Sequence, residues 1–315
     1  MEESIILTIA GIGVVTIACQ WFAWWVKLPA ILFLLLAGIV AGPVTGWLRP
    51  DELFGHLLFP FVSLSVAVVL FEGSLTLRFA DIRGLERVVR RMVTSGLLVT
   101  WAVGAYASYR LLGFAVELAV LFGAFIVVTG PTVIVPMLRT VRPSAHLSNI
   151  LRWEGIVIDP IGALLAVLVF EFIISGQGGE ALSHTLWSFA RIVAVGLLFG
   201  IASGQLMGLA LRHHWVPQYL HNVAVLAVVF AVFALSNAVE AEAGLLAVTV
   251  MGLWLANMPR VSVTHIIDFK ESLSLMLIST LFVVLAARID FAQLQQVGWA
   301  AVGVVAVLQI AIGGR

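Results

Sequence analysis

Eleven mostly apolar stretches follow one another with only short polar joints between them, at approximately 5–26, 29–47, 57–75, 92–113, 117–139, 150–174, 186–211, 219–237, 243–258, 270–288 and 296–312. A helix needs roughly 20 such residues to cross a bilayer, and in hydrocarbon its backbone groups must be satisfied internally. The series predicts an all-α integral membrane protein with eleven transmembrane helices. Composition agrees: 62% of the residues are apolar and 11% charged, against roughly 45–50% and 25% in a soluble domain. A soluble fold would have too little polar surface to cover that core. The amino terminus, MEES, lacks the basic region of a signal peptide, so the first stretch is expected to remain as a helix. The single cysteine, Cys19, cannot form an internal disulfide and is expected in helix packing. No soluble domain fits in the joints, the longest of which runs from Arg78 to Arg91.

Formal net charge is zero, so only its placement informs. Joints on the side opposite the amino terminus hold Lys27, Arg78, Arg83, Arg87, Arg90, Arg91, Arg139, Arg142, Arg152, Arg212, Arg260, Lys270 and Arg315, which are 13 of the 17 basic residues. Arg49, Arg110, Arg191 and Arg288 fall on the other side. The positive-inside rule makes the first side cytoplasmic. The expectation is a multi-pass protein of the plasma (inner) membrane with its amino terminus outside.

The halves of the chain resemble each other. LLAGIVAGP (35–43) and TVMGLWLANMP (249–259) each carry small residues four apart and end at a proline. The next spans carry LFEGSLTLRF (70–79) and LFVVLAARIDF (281–291). Glycines alone signify packing, but two consecutive matched spans, 33 and 30 residues from Gly to Phe, favour a repeat. Spans seven apart cross in opposite directions, giving the inverted repeat of secondary transporters, whose site lies near the midplane.

Two segments carry the chemistry. Thr129-Gly130-Pro131, near the middle of the fifth span with Pro136 after it, marks either a helix break or a proline kink repaired by neighbours. A break exposes carbonyl oxygens beside the Thr129 and Thr132 hydroxyls, which suit a small hard cation. In WEGIVIDPIG (153–162), Asp159 lies at a similar depth in the sixth span, where an acid costs roughly 2.5–3.5 kcal/mol to insert and is a functional candidate by default. One such carboxylate can hold a proton or a metal cation but hardly both, which is the physical core of antiport. Glu154, near Arg152, reads as structural support or as a site member; Glu72 reads as a bond to backbone or to a core charge. Glu171 is expected to reach water. The seven histidines fall in joints or at span ends, His213-His214 included, and the tryptophans read as interface anchors.

LPAILFLLLAGIVAGP (28–43), VVLFEGSLTLRF (68–79), VVTGPTVIVPMLRTV (127–141), RWEGIVIDPIGA (152–163), EAGLLAVTVMGLWLAN (242–257) and LFVVLAARI (281–289) together resemble NhaP-type sodium/proton antiporters of the monovalent cation/proton antiporter superfamily. The resemblance implies a thirteen-helix inverted-repeat fold with discontinuous helices, a homodimer, and a core domain that moves like an elevator. On that pattern 1–91 holds the first dimerisation-type helices, 92–174 the ion-binding core helices, and 186–211 a linker helix. Residues 219–288 hold the second-repeat helices, and 296–315 one further core helix. The resemblance implies that Asp159 is the carboxylate that binds cation and proton, that Glu154 matches the family's Glu on the same helix, and that the helix is broken at Gly130 and Pro131, which leaves Thr129 and Thr132 as the expected hydroxyl ligands beside Asp159. Sodium is the expected transported metal, held by Asp159 and Thr129.

Three departures stand out. Gly130 replaces the acid of a common Thr-Asp-Pro, Ile158 replaces the amide of a common Asn-Asp pair, and the chain stops at Arg315, before the family's last two helices. The expected activity is electroneutral sodium/proton exchange, serving pH homeostasis. Alternatives of the same fold are a potassium/proton exchanger or an organic-anion symporter, although an anion carrier would use midplane basic groups, which are lacking here. An aspartyl protease needs two neighbouring membrane carboxylates, and no His or Cys cluster suggests a metalloenzyme. Neither enzymatic activity, a cofactor nor a nucleic-acid partner is expected; the partners are the cation, the proton, the bilayer and a second copy of the chain.

Overall fold

The computed structural model describes residues 2–128, 130, 134, 137–138, 141–174, 179–259 and 264–313, and among these every regular element is helical. In order they are α1 (Glu2–Val26), α2 (Ala30–Ile39) with a π turn at Val40–Val44, α3 (Pro50–Phe54), α4 (Leu58–Leu75), α5 (Glu86–Arg91), α6 (Leu97–Ala107), α7 (Val116–Ile126), α8 (Ala145–Ile174), α9 (Gly179–Arg212), α10 (His221–Val239), α11 (Ala243–Ala256), α12 (Thr264–Ala286) and α13 (Phe291–Gly313). Helix overlaps every one of the eleven apolar stretches. Among the described residues five helices are long and apolar enough to cross a bilayer: Ile5–Val26, Pro50–Leu75, Ala145–Ile174, Ser183–Arg212 and Gln218–Val239. Ala30–Val44, Val116–Ile126, Ala243–Ala256, Ser272–Ala286 and Gly298–Ile310 are shorter apolar helices.

Local chemistry sets the ends. Pro50 opens α3 at a position whose N–H would have no intrahelical partner. Pro43 removes a donor inside the π turn after α2. The Thr45 hydroxyl donates to the Val40 and Ala41 carbonyls of that turn at 2.8 and 3.0 Å. α5 and α6 run on through a second π turn, and the run ends at Gly113 with φ of 67°, a left-handed terminus that suits glycine.

Small residues decide which helices touch. A Cβ on Gly42 would lie 2.5 Å from the Ala287 Cα, beyond the end of α12, and one on Gly252 of α11 would lie 2.6 Å from the Phe71 carbonyl of α4. The closest packing is between α9 and α11, where Gly196, Gly200 and Gly204 meet Leu246, Val250 and Trp254. This second glycine stripe, at strict four-residue spacing, is legible in the sequence. Around these contacts α4, α9, α10 and α11 share the main core, which includes the fully buried Phe71, Val225 and Met251. α1, α2 and α12 form a second cluster with Leu58. On the other side α6, α7 and α8 pack together through Trp101, Ala124, Ala166 and Val169, and α13 joins them with Leu308 near Gly104.

The joints sort into two ends. At one, Arg288 pairs with Asp51 and lies over the Phe59 ring, and Arg191 pairs with Glu240. At the other, Phe79 stacks on Trp153 and its N–H bonds the Asn257 side chain.

Candidate functional site

α8 is a single 30-residue helix in which Asp159 is the fifteenth residue and Pro160 the sixteenth. The helix begins earlier than its apolar stretch, so the carboxylate sits at its middle. Asp159 is half-buried between the fully buried Ile158 and the buried Pro160. Pro160 has no N–H, so the Ile156 carbonyl one turn back lacks its usual helical donor. Ile156 and Asp159 are three residues apart and share a helix face. An acid and a helix breaker side by side thus put a carboxylate and a freed carbonyl oxygen on adjoining turns.

The neighbouring helix α7 stops at Ile126, and neither Val128 nor Gly130 belongs to a helix. The Ile134 N–H then points back to the Gly130 carbonyl at 3.4 Å. This non-helical stretch lies directly on α8. Val127, 2% exposed, packs with Ile158 and Leu97. A Cβ on Gly162 would meet the Val128 side chain at 2.5 Å. Gly162 follows Asp159 by three residues on the same face, so its missing side chain is what lets Val128 rest on α8 one turn after the carboxylate. Sequence reasoning passed over Gly162; its signal is a glycine one turn after a membrane acid. Thr129, Pro131, Thr132 and Pro136 lie outside the described residues.

The remaining acids separate by environment. Glu154 is 4% exposed on the amino-terminal half of α8. Glu72 of α4 has one carboxylate oxygen shut from solvent, and its neighbour Gly73 abuts Ile156 of α8. Glu171 is half-buried rather than free in water: Ser188 of α9 donates a 3.2 Å bond to one carboxylate oxygen, and the other oxygen is buried. Among the described residues no three His, Cys, Asp or Glu side chains cluster as a metal centre would require. His213 instead stacks on Trp215 at an exposed joint.

A membrane-embedded carboxylate beside an interrupted helix is the kind of site found in ion-coupled transporters. Residues 11–313 match the family model described as "Sodium/hydrogen exchanger, transmembrane". The chain belongs to this family of integral membrane transporters, and the NhaP-type resemblance holds. It is 24% identical over 277 residues to Na(+)/H(+) antiporter 1 of Methanocaldococcus jannaschii, covering 85% of this chain and 65% of that protein. It is 24% identical over 247 residues to the K(+)/H(+) antiporter NhaP2 of Shewanella oneidensis, covering 76% of this chain and 42% of that one. The chain thus spans less than two thirds of these relatives. Its fold matches the structure of the sodium proton antiporter MjNhaP1 from M. jannaschii at pH 8 with a TM-score of 0.80 at 21% identity, over 98% of this chain and 79% of that one.

Proposed function

We propose that this chain exchanges a monovalent cation, sodium first, for protons, the two competing for Asp159. The observation that carries the reading is the placement of a half-buried membrane carboxylate in mid-helix, with the non-helical Val128 packed on the same face at Gly162. Carbonyl oxygens of such a stretch, the Thr129 and Thr132 hydroxyls and the Ile156 carbonyl supply neutral oxygen ligands. Asp159 supplies the charge, and Glu154, five residues earlier on α8, supports the helix that carries it. A carboxylate that binds a cation as the anion and a proton as the acid returns empty-handed in neither direction. The K(+)/H(+) antiporters among the relatives favour potassium as the second reading.

Packing also supports the expected division of labour. α6 to α8 and α13 form the moving core, and α1 to α4 with α9 to α12 form the scaffold, the elements grouping by their main contacts; α5, which belongs to the expected 1–91 unit, packs on α8 instead. α2 packs its glycines on the end of α12, while α11 packs its glycine on α4. This is the reciprocal exchange that an inverted repeat relating the second span to the ninth and the third to the tenth would produce. Only Arg49, Arg110, Arg191 and Arg288 of the 17 basic residues fall on the amino-terminal side, and this bias favours an amino terminus outside and an eleven-span path. α1 exposes Ile6, Leu7, Val14 and Trp21, a surface suited to lipid and to a second copy of the chain.

The test is cation-driven proton movement in proteoliposomes. Asp159→Asn keeps the shape but cannot exchange a proton, and should insert normally yet abolish exchange. In the unaltered protein, lowering the pH should raise the apparent sodium KM at constant maximal rate. Robust exchange by the Asn variant would overturn the assignment.

A further inference from the structure

The strap between α4 and α5 is tied to one helix and lies against another. Asn257, the residue that ends α11, donates from Nδ2 to the Leu77 carbonyl at 2.9 Å and to the Leu253 carbonyl at 2.8 Å. Its Oδ1 accepts the Phe79 N–H at 2.8 Å. A single amide therefore satisfies the backbone on both sides of Arg78, where α4 has ended and its carbonyls have no helical donors. Phe79, so held, stacks on Trp153 of α8 with ring centroids 5.9 Å apart. The grip is wider than one ring pair. Leu77 and Leu85 from the strap join Val89, Ile150, Trp153 and Ile156 in one buried cluster. Trp153 is 6% exposed, and Glu154 beside it 4%.

Neither end of this linkage is explained by ion binding, yet it joins α11, a scaffold helix, to the helix that carries Asp159. We propose that Asn257 is a positioning residue: by fixing residues 77–79 it latches Phe79 onto Trp153 and holds the amino-terminal half of α8 against the scaffold. The mechanical role rests on the reading that α8 moves relative to α4 and α11 during exchange. When it does, the Phe79–Trp153 stack must part together with the contacts of Gly73 and Leu77 to α8, whereas the Asn257 bonds stay within the scaffold and preserve the strap for re-engagement.

Two measurements test this. Hydrogen–deuterium exchange on the purified protein reads the latch without transport. Asn257→Ala and Phe79→Ala should each speed exchange by roughly 2- to 10-fold, the scale of one lost contact of this kind, at amides 145–153 and leave α10 unchanged. Phe79→Tyr, which keeps the ring, should behave as the unaltered protein. Since both Ala substitutions open the same contact, the double variant should show no more than the larger single effect. In proteoliposomes each should change the maximal exchange rate in the same direction while the cation KM stays within about 2-fold. Unchanged protection of α8 in both Ala variants, or effects that multiply in the double variant, would overturn the latch. An unaltered protein that exchanges no cation while its α8 protection still depends on Asn257 would overturn the antiport reading and leave the latch standing.

Discussion

Gly200 tests whether the helix pairs are set by the glycine stripe. A Cβ built there would lie 2.6 Å from the Ala247 carbonyl oxygen and 2.7 Å from the Val250 Cβ. Non-bonded carbon contacts settle at about 3.5–4.0 Å, so α9 and α11 must part by about an ångström, which loosens the whole row from Gly196 to Gly204. Overpacking of this kind costs about 1–3 kcal/mol. Replacing a helical glycine by alanine also gains up to about 1 kcal/mol of helix propensity, and a reference site removes that gain: Gly13 in α1 has nothing within 4 Å of its would-be Cβ. Gly200→Ala should therefore be less stable than Gly13→Ala by about 1–3 kcal/mol in reversible unfolding from mixed micelles. Gly196→Ala should behave like Gly200→Ala, because the Leu246 Cβ, which the backbone fixes, lies 2.9 Å from the would-be Cβ. Equal midpoints for Gly200→Ala and Gly13→Ala would refute the claim that close backbone approach sets this interface.

One carboxylate alternating between one proton and one monovalent cation moves no net charge, so exchange should be electroneutral. A potassium-valinomycin potential, worth roughly 2.3 kcal/mol per charge per 100 mV, should then leave rates and end points in liposomes unchanged. Ile158→Asn supplies the amide common in the family but places it in the apolar cluster of Leu97 and Val127, so stability should fall by about 2–4 kcal/mol in the same micelle assay. Pro160→Ala restores a helical N–H for the Ile156 carbonyl; the helix should become more stable while the apparent cation KM rises, and an unchanged KM would remove that carbonyl from the ligand set.

Much of the site's position along the chain was legible from residue chemistry. Asp159 is conspicuous because an acid in an apolar helix is expensive wherever the helix packs, and Gly130-Pro131 because glycine and proline act on their own backbone. Both signals are local. Glu171 shows the limit: its depth suggested water, but whether a carboxylate meets water depends on the helix lying across it, and Ser188 of α9 is 17 residues away in sequence. Asn257 is similar, since an amide at a helix end reads as an ordinary terminus until the α4 strap, 178 residues earlier, is seen bonded to it.

The sequence by itself determined that this chain is helical, lives in a bilayer and carries one acid at mid-helix, because the cost of polar groups in hydrocarbon is charged residue by residue. Only the tertiary structure decided that Val128 rests on Gly162, that α2 pairs with α12 and α4 with α11, and that the strap grips Trp153. Lipid is as apolar as any leucine face, so hydropathy cannot choose partners among helices. The choice falls to close packing at small residues and to a few polar bonds, and these exist only once two distant segments have met.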